Sequence, residues 1–212
     1  MGKFQKVELV NWQRLSVFQF FSQFDDQLFS IDFDLTLPED FVRKCKSKRL
    51  TPFLACLYSM AKVLNDIEEF KYRLVNNEVV KYDQIDPVWV EIDKNKNLII
   101  VSCQYHTSLD EFKVSLKNRK IVDADYLKNN PDHFTVSNNH WLNWNSVKHT
   151  RLLKNETNQK LVWGKIEGKK VRFSMEVSHL FTDGYHISLF KEAVEKELET
   201  LLTPPSSNIN NI

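Results

Sequence analysis

Between Val177 and His186 the chain reads Val-Ser-His-Leu-Phe-Thr-Asp-Gly-Tyr-His. A histidine, His179, ends an apolar run, and an aspartate and a glycine, Asp183 and Gly184, follow at the head of a helical pattern. Imidazole takes up a proton near neutral pH without a large pKa shift, so a histidine fixed by a rigid strand end suits general-base chemistry. Asp183 can cap the helix that follows or pair with an arginine, and either contact locks the turn that carries the histidine.

Other chemistries are excluded by what the chain lacks. Its only glycines are Gly2, Gly164, Gly168 and Gly184, so neither a Gly-x-Gly-x-x-Gly dinucleotide loop nor a phosphate loop can be written. Cys45, Cys56 and Cys103 are far apart and odd in number, with no Cys-x-x-Cys pair, and are read as reduced thiols with no metal site. The 212 residues carry 29 Lys+Arg against 28 Asp+Glu, a net charge of +1, which removes the electrostatic term that dominates nucleic-acid binding. No uncharged apolar run is long enough to span a bilayer, and the first ten residues are too interrupted for a signal peptide. The expectation is a cytoplasmic protein with neither nucleic-acid nor membrane partners, one domain over residues 1–202, and a disordered tail over residues 203–212.

The elements that must position the histidine follow from hydrophobic period. Phe29 to Leu37 alternates apolar and polar residues, which predicts a half-buried strand. Thr51-Pro52 caps and opens a core helix carrying Phe53, Leu54, Leu57, Met60, Ala61 and Leu64. Asn76-Asn77 turns a hairpin between Phe70–Val75 and Glu78–Tyr82, and a second hairpin joins Val88–Asp93 to Leu98–Cys103. A capping box at Ser108 predicts a helix to Val122, and Tyr126–His133 reads as a loop. Leu161–Ile166, a Glu167-Gly168-Lys169 turn and the strand of Val171, Phe173, Met175 and Val177 lead to His179, and a helix runs from Gly184 to Leu202. Strands and helices mix without strict alternation. The fold class is therefore α/β (α+β), a mixed sheet covered by helices, and Trp141, Trp144 and Trp163 are read as core, with the lining of a substrate pocket as the alternative.

Several segments, in order along the chain, resemble the chloramphenicol acetyltransferase family. They are Asn11-Trp12-Gln13-Arg14, Thr51-Pro52-Phe53, Glu69-Phe70-Lys71-Tyr72-Arg73 with Val79-Val80-Lys81-Tyr82-Asp83, Trp141-Leu142-Asn143-Trp144-Asn145-Ser146, Trp163-Gly164-Lys165, and His179 to Gly184. The resemblance implies a two-layer sandwich and acetyl-CoA as co-substrate, with a small hydroxylated molecule as acceptor. It implies that His179 is the general base, that Ser146 donates to the oxyanion, that Asp183 and Arg14 form a supporting pair, and that Lys165 lies on the coenzyme side. Larger relatives look like two such lobes in one chain. A single lobe holds half a site, and the family completes it as a homotrimer with His179 facing a pocket on the neighbouring subunit.

Two positions depart from the family pattern. Ser178 stands where a histidine usually precedes the base, and Val162 replaces a threonine that holds a water near the transition state, a hydrogen bond valine cannot make. Chloramphenicol itself is therefore a doubtful acceptor. Two other readings stay open at this point: a non-catalytic trimeric scaffold, and transfer from another acyl thioester.

Overall fold

The computed structural model describes residues 2–203. Along the chain run β1 (Phe4–Lys6), α1 (Leu15–Phe21), β2 (Leu28–Thr36), α2 (Phe41–Ser47), α3 (Pro52–Asp66), β3 (Tyr72–Val75), β4 (Glu78–Tyr82), β5 (Asp86–Ile92) and β6 (Leu98–Ser102). There follow α4 (Leu109–Lys117), β7 (Lys120–Ile121), α5 (Ala124–Asn129), β8 (His133–Asn138), β9 (Lys160–Glu167), β10 (Lys170–Ser178) and α6 (Gly184–Leu202).

Seven strands form one mixed sheet in the order β2-β10-β9-β8-β5-β6-β7. β8 pairs in parallel with both β5 and β9, and the other pairings are antiparallel. A small antiparallel sheet, β1-β4-β3, stands apart from it. Along β10 the side chains of Val171, Phe173, Met175 and Val177 are fully buried in one core with Leu57, Met60 and Leu64 of α3 and Phe190, Val194 and Leu198 of α6. Alternation sends Arg172, Ser174, Glu176 and Ser178 to the opposite face, where Asp34, Asp32, Ser30 and Leu28 of β2 stand directly across. The helices thus cover the apolar face, and the segment from Asn139 to Gln159 runs past the polar one, where its Asn145 and His149 meet Arg172 and Ser174.

Local signals account for several boundaries. The Thr51 hydroxyl accepts from the Leu54 N–H with Pro52 at the first helical position, and Asn76 and Asn77 take the positive φ values (51° and 63°) that a tight hairpin requires. Arg73, fully buried, donates to the carbonyls of Phe70, Tyr72, Pro131 and His133 and to Gln159 Oε1, so one guanidinium ties the small hairpin to the large sheet. Cys45, Cys56 and Cys103 are buried and unpaired.

Other expectations are corrected. The Ser108-capped helix stops at Lys117, because Lys120 and Ile121 pair with Ser102 and Val101 on the sheet edge instead of continuing to Val122. Tyr126–His133 is not a loop: Asp123 caps α5 by accepting from the Tyr126 N–H, and His133 begins β8. Helices α1 and α2 were not anticipated from the pattern. Trp163 is core at 2% exposure, whereas Trp141 is 64% exposed and Trp144 half-buried. Of the expected tail, Thr203 closes α6 through its N–H to the Glu199 carbonyl, and residues 204–212 lie outside the described residues.

Candidate active site

His179 follows the last residue of β10 and extends its antiparallel pairing by one step, its N–H donating to the Gln27 carbonyl at 2.7 Å. The backbone is therefore fixed where the imidazole leaves the strand. The ring lies between two phenyl rings, Phe21 at 4.2 Å and 5° and Phe29 at 3.7 Å and 15°. Its Nδ1 is buried without a hydrogen-bond partner among the described residues. Burial disfavours the imidazolium and lowers the pKa below the ordinary 6.5, outweighing the nearby Asp183 carboxylate that acts the other way.

The turn after His179 is built from its neighbours. Ser178 is buried; its hydroxyl accepts from the Leu180 N–H, and its carbonyl accepts from the N–H groups of Phe181 and Thr182 and from the Thr182 hydroxyl. The serine at this departure from the family pattern thus closes the turn that holds the histidine. Asp183 both caps and pairs: Oδ1 accepts from the N–H groups of Tyr185 and His186, and Oδ2 lies 3.4 Å from Arg14 Nη2. Burial works against the carboxylate, but the His186 ring and N–H together with Arg14 outweigh it and hold the acid below its usual range. Trp12 and Phe18, which flank Arg14 in the chain, pack with Tyr72 and Phe181 in an aromatic cluster.

Ser146 lies elsewhere. It is exposed, and the carbonyl of the residue before it, Asn145, accepts from Arg172 Nη2 at 2.9 Å. The strand from Arg172 to His179 extends roughly 20 Å. A single chain therefore brings His179, Asp183 and Arg14 together and leaves Ser146 apart from them. Lys165, exposed on β9, lines a cleft of about 580 Å³ with Trp144, Asn145, Gly164, Lys170 and Arg172. Trp144 Nε1 and Arg172 Nε are buried donors with no partner among the described residues, so this cleft suits a ligand rich in acceptor oxygens.

Val162, 6% exposed, lines a second cleft of about 460 Å³ whose apolar wall includes Val88, Val90, Leu98 and Ile100. Beside it stand residues that no sequence motif marked. His149 Nε2 is 3.0 Å from Ser174 Oγ, and Lys160 is buried in ion pairs with Glu156 and with Glu176, the latter at 2.9 Å. Burial lowers the His149 pKa. Glu176 stands directly across from Lys160 in the β10–β9 register, a relation invisible before that register is known.

Comparison with known proteins identifies the family and the fold. The chloramphenicol acetyltransferase family matches residues 2–195. Chloramphenicol acetyltransferase 2 of Escherichia coli is 24% identical over 218 residues, covering 94% of this chain and 99% of that protein. A solved chloramphenicol acetyltransferase superposes with a TM-score of 0.81 at 26% identity, over 92% of this chain and all of the other. The dihydrolipoamide acetyltransferase of Azotobacter vinelandii shares the fold at a TM-score of 0.60 and 13% identity, over 95% of each chain. With a mixed sheet covered by helices, a histidine at the end of β10 and the family match over nearly its whole length, the chain belongs to the chloramphenicol acetyltransferase family and is an acyltransferase.

Proposed function

We propose that the protein transfers the acetyl group of acetyl-CoA directly to a hydroxyl of a small acceptor, with His179 as general base. The observation that carries this reading is the state of His179: an aromatic-walled imidazole whose neutral form is favoured by burial and whose backbone is pinned at the end of β10. Its Nε2 removes the proton of the acceptor hydroxyl as the oxygen attacks the thioester carbonyl. The tetrahedral oxyanion accepts a hydrogen bond from the Ser146 hydroxyl, a contribution of roughly 3 kcal/mol for one such donor. Collapse breaks the carbon–sulfur bond, and the imidazolium returns its proton to the departing CoA sulfur. Arg14 and Asp183 hold the turn. The donor-rich cleft at Lys165 receives oxygen-bearing parts of acetyl-CoA.

His179 and Ser146 meet only if they come from different chains. The homotrimer that the family resemblance implies would bring them together at three equivalent interfacial sites, in a protein working in the cytoplasm. Because Val162 offers no hydroxyl, the acceptor is a small hydroxylated molecule that includes chloramphenicol only as one candidate.

The test is thiol release from acetyl-CoA with a panel of hydroxylated acceptors, chloramphenicol among them. Acceptor-dependent release that falls roughly 10²–10⁴-fold in His179→Ala is expected. Release that survives the substitution, or none with any acceptor, overturns the reading. Mixing unfolded His179→Ala and Ser146→Ala chains and refolding them together recovers activity above either parent if the residues meet across an interface. Sedimentation should give a species of three times the 25.1 kDa chain mass.

A further inference from the structure

β9 and β10 lose register between Val171 and Phe173. Val171 pairs with Ile166 and Phe173 with Trp163, so Gly164 and Lys165 together face the single residue Arg172. This is a β-bulge, a device that re-aims a side chain by inserting one unpaired residue. Two contacts converge on it from the segment that carries Ser146. The indole of Trp144 lies over Gly164, where an added Cβ would come within 3.1 Å of Trp144 Nε1. Arg172 meanwhile donates to the Asn145 carbonyl at 2.9 Å through Nη2 and to Asp34 at 3.2 Å through Nη1. Asp34 stands directly across from Arg172 on β2, so it holds the guanidinium in place from the opposite strand.

We infer that Arg172, steadied by Asp34 at the Gly164–Lys165 bulge, is a positioning residue that fixes the Ser146 hydroxyl through the Asn145 carbonyl. The inference rests on the proposed role of Ser146 and deepens it. The two residues before the serine are gripped, one by packing on a glycine and one by a charge-assisted hydrogen bond, while Ser146 itself stays exposed. An oxyanion donor has to be in place before the charge develops, so a loop segment left free would lose most of its value. Arginine suits the task because its planar fork serves the carboxylate and the carbonyl at once; a lysine at this position has a single nitrogen for both.

A double-mutant cycle on acyl transfer, with the acceptor that the panel identifies, tests the inference. Arg172→Leu is expected to lower kcat about tenfold, with Arg172→Lys recovering part of the loss. In the Ser146→Ala background the same substitution should cost less than twofold. Gly164→Ala, which displaces Trp144 without touching a charge, should follow the same pattern and serves where Arg172→Leu folds poorly, as judged by thermal melting. Equal losses in both backgrounds, or no loss from Arg172→Leu while Ser146→Ala is impaired, would overturn the positioning role alone. An undiminished kcat in Ser146→Ala would sink the assignment of Ser146 as oxyanion donor, and the role of Arg172 with it.

Discussion

The imidazole of His179 and the phenyl ring of Phe29 lie face to face, with centroids 3.7 Å apart and planes 15° from parallel. Phe29 is an edge-strand residue near the start of β2 and His179 the residue just past the end of β10, so the antiparallel pairing that builds the sheet also builds the stack. With Phe21 on the other face, water is kept from both sides of the ring, and its charged form is penalised.

The pH dependence of kcat/KM follows from that environment. Burial holds the folded-state pKa of His179 below 6.5, so the basic form dominates at neutrality and the ascending limb of the rate should lie at lower pH than a free imidazole would give. Phe29→Ala admits water to one face and should move the ascending limb toward higher pH. A limb that stays where it was would show that the aromatic walls do not set the pKa.

Asp183 carries two duties that substitution can separate. Asp183→Ala removes the cap of α6 and should cost about 1–2 kcal/mol in urea unfolding, whereas Asp183→Asn keeps an acceptor oxygen for the N–H groups of Tyr185 and His186 and should cost less than half as much. The Arg14 pair is long and partly exposed, and it contributes under about 1 kcal/mol. Equal destabilisation by both variants would mean that charge, not capping, is what α6 needs.

Arg73 is a stability residue with no carboxylate partner among the described residues. Its donors are satisfied by carbonyl oxygens, and burial lowers its pKa to about 10, still fully charged at neutral pH. Arg73→Met strands those buried acceptors and should cost about 3–5 kcal/mol. Denaturant unfolding measures it directly, and a loss under 1 kcal/mol would contradict the bracing role.

Acid should destabilise the protein through His133, which is 7% exposed and whose pKa burial lowers to about 4. Between pH 6.5 and 4 only the unfolded chain binds that proton, so stability falls as pH falls across this window, by roughly 3 kcal/mol. His133→Gln, which does not titrate, should therefore be less stable than the parent at pH 7 and approach it at pH 4.5. Parallel stability curves for the two proteins would refute the assignment.

Elements whose signals are local could be read from the chain alone. The alternation from Phe29 locates β2 to within one residue, Thr51 and Pro52 begin α3, Asn76 and Asn77 turn the first hairpin, and Asp183 with Gly184 opens α6. Each of these depends on neighbours a few positions away. β8 does not: its six residues become a strand because β5 and β9 lie on either side of it, and its His133 and Phe134 pair with Asp86 and Pro87, far back in the chain. The same holds for α4, cut short because Lys120 and Ile121 find Ser102 and Val101. His179 and Asp183 were legible as candidates from their types and spacing, and Arg14 through the family resemblance, yet the stack on Phe29 and the pairing of Lys160 with Glu176 arise only from strand register. That Ser146 sits at the Arg172 bulge, away from the histidine, emerges with the folded sheet, because a strand is a rigid spacer that holds its two ends apart.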